Sequence, residues 1–315
     1  MSRPAGPGSG RAAPSRILFV FLDGVGIGVA DPAVNPFLAA GERIPTLTAL
    51  MGGRVPTLDD PSASGPMGSS FPLDATLDMD GTPQSGTGQT ALLTGESAAE
   101  IFGGHFGPWA PVALRPLVEE RNVLRTARDR GLRVAFANAY PRGWPGPRGE
   151  RRVAAVPLAA RGAGVLDRHE EALAEGRAVA SELVNDGWRE HLGHTGLPHV
   201  TPEQAGANLA RLSREGDLTL FAHYATDSAG HRQELEAGIA ALVKVDAFLR
   251  GVLGDLDVET LLIVASDHGN IEDSSAGHTR NPALGIAAGP AADRAERLSD
   301  IRQVPSLILE VLGAG

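Results

Sequence analysis

The sequence predicts an α/β fold with a mainly parallel sheet sandwiched between helices. Three observations support it. Apolar runs of strand length recur without internal alternation, helix-patterned stretches lie between them, and acidic residues stand directly after several of the runs. Uninterrupted apolar runs suit strands buried on both faces, and their alternation with helices indicates parallel pairing.

The elements follow in order. Residues 1–15 are rich in Gly, Pro, Ser and Arg and carry no apolar core of a signal peptide, so they read as a disordered tail and point to a cytoplasmic location. Ile17–Leu22 begins the first buried strand. Gly52–Gly88 is long and turn-rich. Val118–Arg130 reads as a helix leading into the strand run Arg133–Asn138. The breaker cluster Pro141–Pro147 then opens a stretch of weak periodicity, an insertion or small cap at about 141–200 on one large domain spanning 16–315. Thr201, Pro202 and Gln204 form a helix-start signature, with Gly216 as its stop. Leu218–Ala222 is the next strand. From Leu235, apolar residues keep helical spacing until Gly254. Strands at Leu261–Ala265 and Leu284–Ala288 complete the set, and no internal repeat is visible.

Composition narrows the chemistry. With 28 Lys+Arg against 38 Asp+Glu, the formal net charge is −10, and Lys244 is the only lysine among 315 residues. That balance disfavours an electrostatic grip on nucleic acid, while a small anionic substrate requires locally positive charge. The lack of cysteine excludes disulfides, thiolate metal sites and a cysteine nucleophile. No apolar stretch approaches the roughly 18 residues of a membrane span, so no membrane partner is expected.

In open α/β sheets, ligands bind beyond the carboxyl ends of the strands. Here Asp23 follows the first strand, Asp227 and His231 follow Leu218–Ala222, and Asp267 and His268 follow Leu261–Ala265, with His278 preceding the last strand. Each residue alone also suits a polar turn or surface loop. Together, three carboxylates and three imidazoles at one sheet edge suit divalent metals. Pro83–Gly95 supplies a hydroxyl: a glycine-laced loop enters a helix with Ser85 near its N-terminus, where an anion is favoured. Ser85 also reads as an ordinary helix cap, and Thr87 and Thr90 compete with it as nucleophile. His191 and His194, spaced i, i+3, read as solvated surface.

The segments FLDGVGIG (21–28), PQSGTGQTALLTG (83–95), TDSAGH (226–231), SDHGN (266–270) and GHTRNP (277–282) resemble, in order, those of the alkaline phosphatase superfamily. The resemblance is to the branch containing cofactor-independent phosphoglycerate mutase and phosphopentomutase. It implies two divalent metal ions, Mn or Zn. One would be held by Asp227, His231 and His278. The other would be held by Asp23, Asp267 and His268, and touched by Ser85 as nucleophile. Two such ions against three carboxylates leave the centre locally positive inside an acidic protein.

The sequence departs from the mutases in cap size and in having no lysine free for a substrate pocket. Arg142, Arg148 and Arg280 are therefore the candidate substrate-binding cations. The Cys/Ser-x-Pro-x-Arg-like pattern of sulfatases is absent around Ser85. The resulting expectation is a metal-dependent phosphatase or phosphodiesterase acting on a small phosphorylated substrate through a phosphoserine. A phosphomutase and a non-catalytic metal-binding protein are the alternatives.

Overall fold

A computed structural model describes residues 14–146, 149 and 152–313 of the chain. Arg148 and all of the N-terminal tail except Pro14 and Ser15 lie outside the described residues. One seven-stranded sheet organises the rest. Its strands are β1 (Arg16–Leu22), β2 (Ala63–Ser64), β3 (Ser69–Leu73), β4 (Val134–Phe136), β5 (Leu218–His223), β6 (Thr260–Ala265) and β7 (Ala283–Ala288), in the order β2-β3-β7-β6-β1-β5-β4.

The four strands β4, β5, β1 and β6 pair in parallel, with Phe19 opposite both Leu220 and Ile263. Along β1, Ile17, Phe19 and Phe21 enter one core cluster while Leu18, Val20 and Leu22 enter the other. That two-sided burial is the reason the run does not alternate. The chain thus has a mostly parallel sheet between two helical layers, as the sequence pattern predicts.

β7 runs antiparallel to β6, with Val264 opposite Ile286. Its reversed direction matters for the site: residues before β7 lie at the same edge as residues after β6. β3, unforeseen in the turn-rich stretch, pairs antiparallel with β7 through Ser69–Leu73. Its Pro72 hid it, since proline breaks a central ladder. β2 covers only Ser69 and Ser70, so Pro72 has an open edge on that side.

Helix expectations hold with three corrections. Thr201 and Gln204 form a full capping box on Pro202–Leu212, but that helix ends before Gly216, where the Ser213 hydroxyl donates to Ala210 O at 2.7 Å. The helix from Leu235 runs through Gly254 to Asp255, held by buried Leu249 and Val252 on one face. The packing outweighs the roughly 1 kcal/mol cost of glycine in a helix. Val118–Arg130 is two helices, Arg115–Glu120 and Val123–Asp129. Asn122 makes the break: its side-chain oxygen caps Arg125 N at 3.0 Å, while its amide donates to Val118 O at 2.7 Å.

The stretch from 141 to 200 contributes to two places. Helix Ala155–Gly162 buries Val156, Leu158 and Ala159 in the main core. Ala172, Leu173, Trp188 and Leu197 form a small cluster of their own with Ala139, Ala178 and Ala180. His191 is exposed, and His194 stands against Trp188, 5.3 Å between ring centroids. Among the described residues, no helix is long and apolar enough to cross a membrane.

Candidate metal centre and nucleophile

Four strand ends build the site. After β1, the Asp23 amide donates to His223 O at 2.9 Å, extending the ladder by one residue. Gly24 then turns with φ +65°, and a Cβ there would lie 2.5 Å from Asp227 Oδ1, so the turn requires glycine. Asp227 sits on the short helix Ala225–Gly230 directly after β5, with His231 one turn on. Asp267 and His268 follow β6 and are fully buried. The bridge between Gly269 and Thr279 brings the chain before β7 back to this edge. His278 consequently stacks on His268 with ring centroids 4.1 Å apart.

Ser85 is the first residue of helix Ser85–Thr94, following the cap residue Gln84. It is 2% exposed, and its Oγ lies 3.0 Å from His268 Nε2. The competing hydroxyls are turned away: Thr87 Oγ1 donates to Gln84 O at 3.2 Å and Thr90 Oγ1 to Gly86 O at 2.7 Å. Gly88 permits the helix to approach β6, since a Cβ there would lie 2.7 Å from Asp267 O.

The ligand atoms fall into two overlapping groups, Asp23–Asp267–His268 and Asp227–His268–His278. His268 Nε2 lies 3.4 Å from Asp23 Oδ1 and 3.6 Å from Asp267 Oδ2. Asp227 reaches His278 Nε2 at 3.3 Å and His231 Nε2 at 3.2 Å, and those two nitrogens are 3.1 Å apart. The six predicted ligands therefore converge, with His268 standing between the two sets and His231 on the exposed side.

Two features of this arrangement fit divalent metal ions. Asp23 Oδ1 and Asp267 Oδ2 are buried and accept no hydrogen bond. Moreover, His278 Nδ1 must donate to Pro83 O at 3.0 Å and His268 Nδ1 to Gly269 O at 3.2 Å, because a carbonyl can only accept. That leaves Nε2 of each ring facing the carboxylates, and carboxylates gathered this closely require positive charge among them.

The electrostatics state the same demand. Burial, then the neighbouring Asp267, push the Asp23 carboxyl well above its ordinary range. Burial likewise raises Asp267. Burial alone would lower the His268 imidazole, yet Asp267 and Asp23 together push it up to about 10. Burial opposes ionisation of Asp227, but its hydrogen bond with His278 and the nearby His268 hold it down at about 2.

The arginine expectations fare differently. Arg142 is held by Glu171 through two 2.8 Å hydrogen bonds and is not among the cavity's lining residues. Arg280 is exposed and donates to Gly81 O. Among the described residues, the cation that lines the cavity over Ser85 is Arg152, which no sequence signal marked. Three further residues were also missed. Gln89 donates to Asp23 Oδ2 at 2.9 Å; its position one turn after Ser85 was the available signal. Asn270 donates to Asp227 Oδ1 at 2.6 Å. Glu272, fully buried, accepts from Gly26 N at 3.0 Å, Asn270 N at 2.7 Å, Asn281 Nδ2 at 3.1 Å and the Thr279 hydroxyl. It ties the loops after β1 and β6 to the loop before β7.

Comparison with known proteins identifies the family and the fold. Residues 15–309 match the Metalloenzyme superfamily. The PH0037 protein from Pyrococcus horikoshii superposes with a TM-score of 0.58 at 14% identity, over 96% of this chain and 98% of that one. Alkaline phosphatase from the Antarctic bacterium TAB5 gives 0.56 at 12% identity, over 96% and 100%. Cold-active alkaline phosphatase from the psychrophile Shewanella sp. gives 0.51 at 12%, over 94% and 100%. At these identities the likeness shows the fold. No curated protein matches the sequence. The chain belongs to the Metalloenzyme superfamily, with an alkaline phosphatase-like fold.

Proposed function

We propose that this protein hydrolyses a small phosphate ester through a phosphorylated Ser85. The observation carrying the proposal is the buried Ser85 Oγ, 3.0 Å from His268 Nε2 where two acid–imidazole sets meet. The fold it shares with two alkaline phosphatases supports the same reaction class.

Asp23, Asp267 and His268 would hold one divalent ion, Mn or Zn, and Asp227, His231 and His278 the other. When bound, such ions supply the positive charge that favours the serine alkoxide and takes up charge on the phosphoryl oxygens. Ser85 Oγ forms the bond to phosphorus as the ester oxygen leaves, and water then displaces Ser85 to release inorganic phosphate. Gln89 fixes the Asp23 carboxylate and Asn270 fixes that of Asp227, so neither must reorganise during the reaction. The N-terminus of the Ser85 helix favours the incoming anion.

Hydrolysis is preferred to intramolecular transfer because the cavity over Ser85 is open at its rim. Trp109 and Leu192 line it and are exposed, which gives water access to the phosphoserine. The testing experiment incubates metal-loaded protein with a panel of phosphomonoesters and phosphodiesters, with Mn and Zn in turn, and acid-quenches it for mass spectrometry. Inorganic phosphate and a phosphate adduct on Ser85 are expected. An isomeric ester without free phosphate would make the protein a mutase, and full activity after metal removal would overturn the scheme.

A further inference from the structure

The chain has three tryptophans and two tyrosines, and all five line one cavity. Trp109, Trp144, Trp188, Tyr140 and Tyr224 surround a space of about 430 Å³ that also contains Ser85, Asp23 and Asp227. The hydrophobic core, by contrast, is built with phenylalanine: Phe19, Phe21, Phe136, Phe221 and Phe248 are all fully buried. Most phenylalanines fill the interior, with Phe102 and Phe106 exposed, while every Trp and Tyr ring, with its polar edge, is gathered over the nucleophile.

We propose that this cavity binds a planar aromatic or heteroaromatic ring on the alcohol side of the phosphate ester. The inference rests on the phosphoryl-transfer reading of Ser85 and adds its substrate class. Ring placement is fixed in advance by packing. Tyr140 stands on Phe136 with centroids 5.9 Å apart and meets Trp144 edge-on at 5.0 Å and 67°. Tyr224 is set edge-on against Phe21 of β1 at 6.0 Å and 67°. These contacts tie one wall to the sheet, so little ordering is needed on binding.

An aromatic guest gains offset or edge-to-face contacts that a saturated ring of equal size does not, because aromatic quadrupoles are complementary in those geometries. The size suits a guest of one or two rings, at the lower end of small-ligand cavities. Arg152, which also lines the cavity, can lie against the face of a bound ring, as guanidinium groups do.

The test pairs benzyl phosphate with cyclohexylmethyl phosphate, which share leaving-group chemistry and differ in ring planarity. Metal-loaded protein should favour the benzyl ester by about tenfold in kcat/KM, the effect of one or two good aromatic contacts. Trp144→Leu should collapse that ratio toward one, and Trp144→Phe should restore most of it. Binding is read separately by tryptophan fluorescence, because every tryptophan of the chain lines the cavity. Benzylphosphonate, which lacks the ester oxygen, should change the emission of both wild type and Ser85→Ala. Equal kcat/KM for the two esters without a fluorescence change overturns the ring proposal and leaves phosphoryl transfer intact. A fluorescence response without hydrolysis of either ester overturns the Ser85 reaction and leaves the ring site standing.

Discussion

His268 Nε2 lies 3.0 Å from Ser85 Oγ across 183 residues of sequence. Both groups are buried, and Thr87 and Thr90 are committed to backbone carbonyls. Ser85→Ala should therefore lower phosphatase activity by at least about 10³-fold, with metal content unchanged. Thr87→Val should lose only about 1 kcal/mol of stability and keep activity of the same order. Steady-state assay with an aryl phosphate and urea unfolding of both variants separate the roles. Full activity in Ser85→Ala would remove the nucleophile assignment.

Metal loading should stabilise the fold, since the buried Asp23 Oδ1 and Asp267 Oδ2 lack hydrogen bonds without it. Mn or Zn at about a hundred times its Kd should add about 2.7 kcal/mol, visible as a rise in Tm of several degrees. Asp267→Asn should abolish that rise and, by removing a buried charge, leave the metal-free protein at least as stable as wild type. A scan showing no metal-dependent change in either protein would contradict the assignment.

Glu272 acts on the centre through the three loops it joins. Glu272→Gln places an NH₂ where backbone or side-chain donors already point, so one or two buried donors lose their acceptor. A loss of about 2–4 kcal/mol is expected from denaturant midpoints, with weaker metal binding as the loops separate. Unchanged stability would mean that these hydrogen bonds are replaceable.

His223 gives the pH dependence a defined direction. Burial lowers its imidazole from 6.5 to about 4, and its Nδ1 donates to Ser181 O at 2.6 Å. Between those values the unfolded chain binds a proton that the folded chain does not, so stability falls as pH falls from 6.5 to 4. The total is on the order of 3 kcal/mol, and above pH 6.5 this group contributes no slope. His223→Asn should flatten that part of a stability-against-pH curve; an unaltered curve would assign the slope to other groups.

Much of the fold was legible because it is written in local order. The apolar runs of β1, β5 and β6 reflect burial on two faces, and the Thr201 capping box uses only neighbours in sequence. Asp23, Asp227 and Asp267 could be placed at one edge because parallel strands end on the same side. β3 was hidden by Pro72, which is tolerated only because β2 is too short to reach it. Asn122 looked like a helix interior residue, and its contact with Ala159 O, 37 positions away, contributes to holding it as a cap instead.

The sheet-and-helix alternation, the acids and imidazoles at strand ends, and the hydroxyl beside a helix start are all legible in local order. These follow from periodicity and from the direction a strand imposes on the residue after it. Packing across distant segments set His268 between the two acid–imidazole groups, Arg152 rather than Arg142 at the cavity, and Glu272 among three loops. The gathering of Trp109, Trp144 and Trp188 over Ser85 belongs with these. Such relationships depend on which distant segments share a surface, and that is set by the packing of the whole chain rather than by the residues on either side.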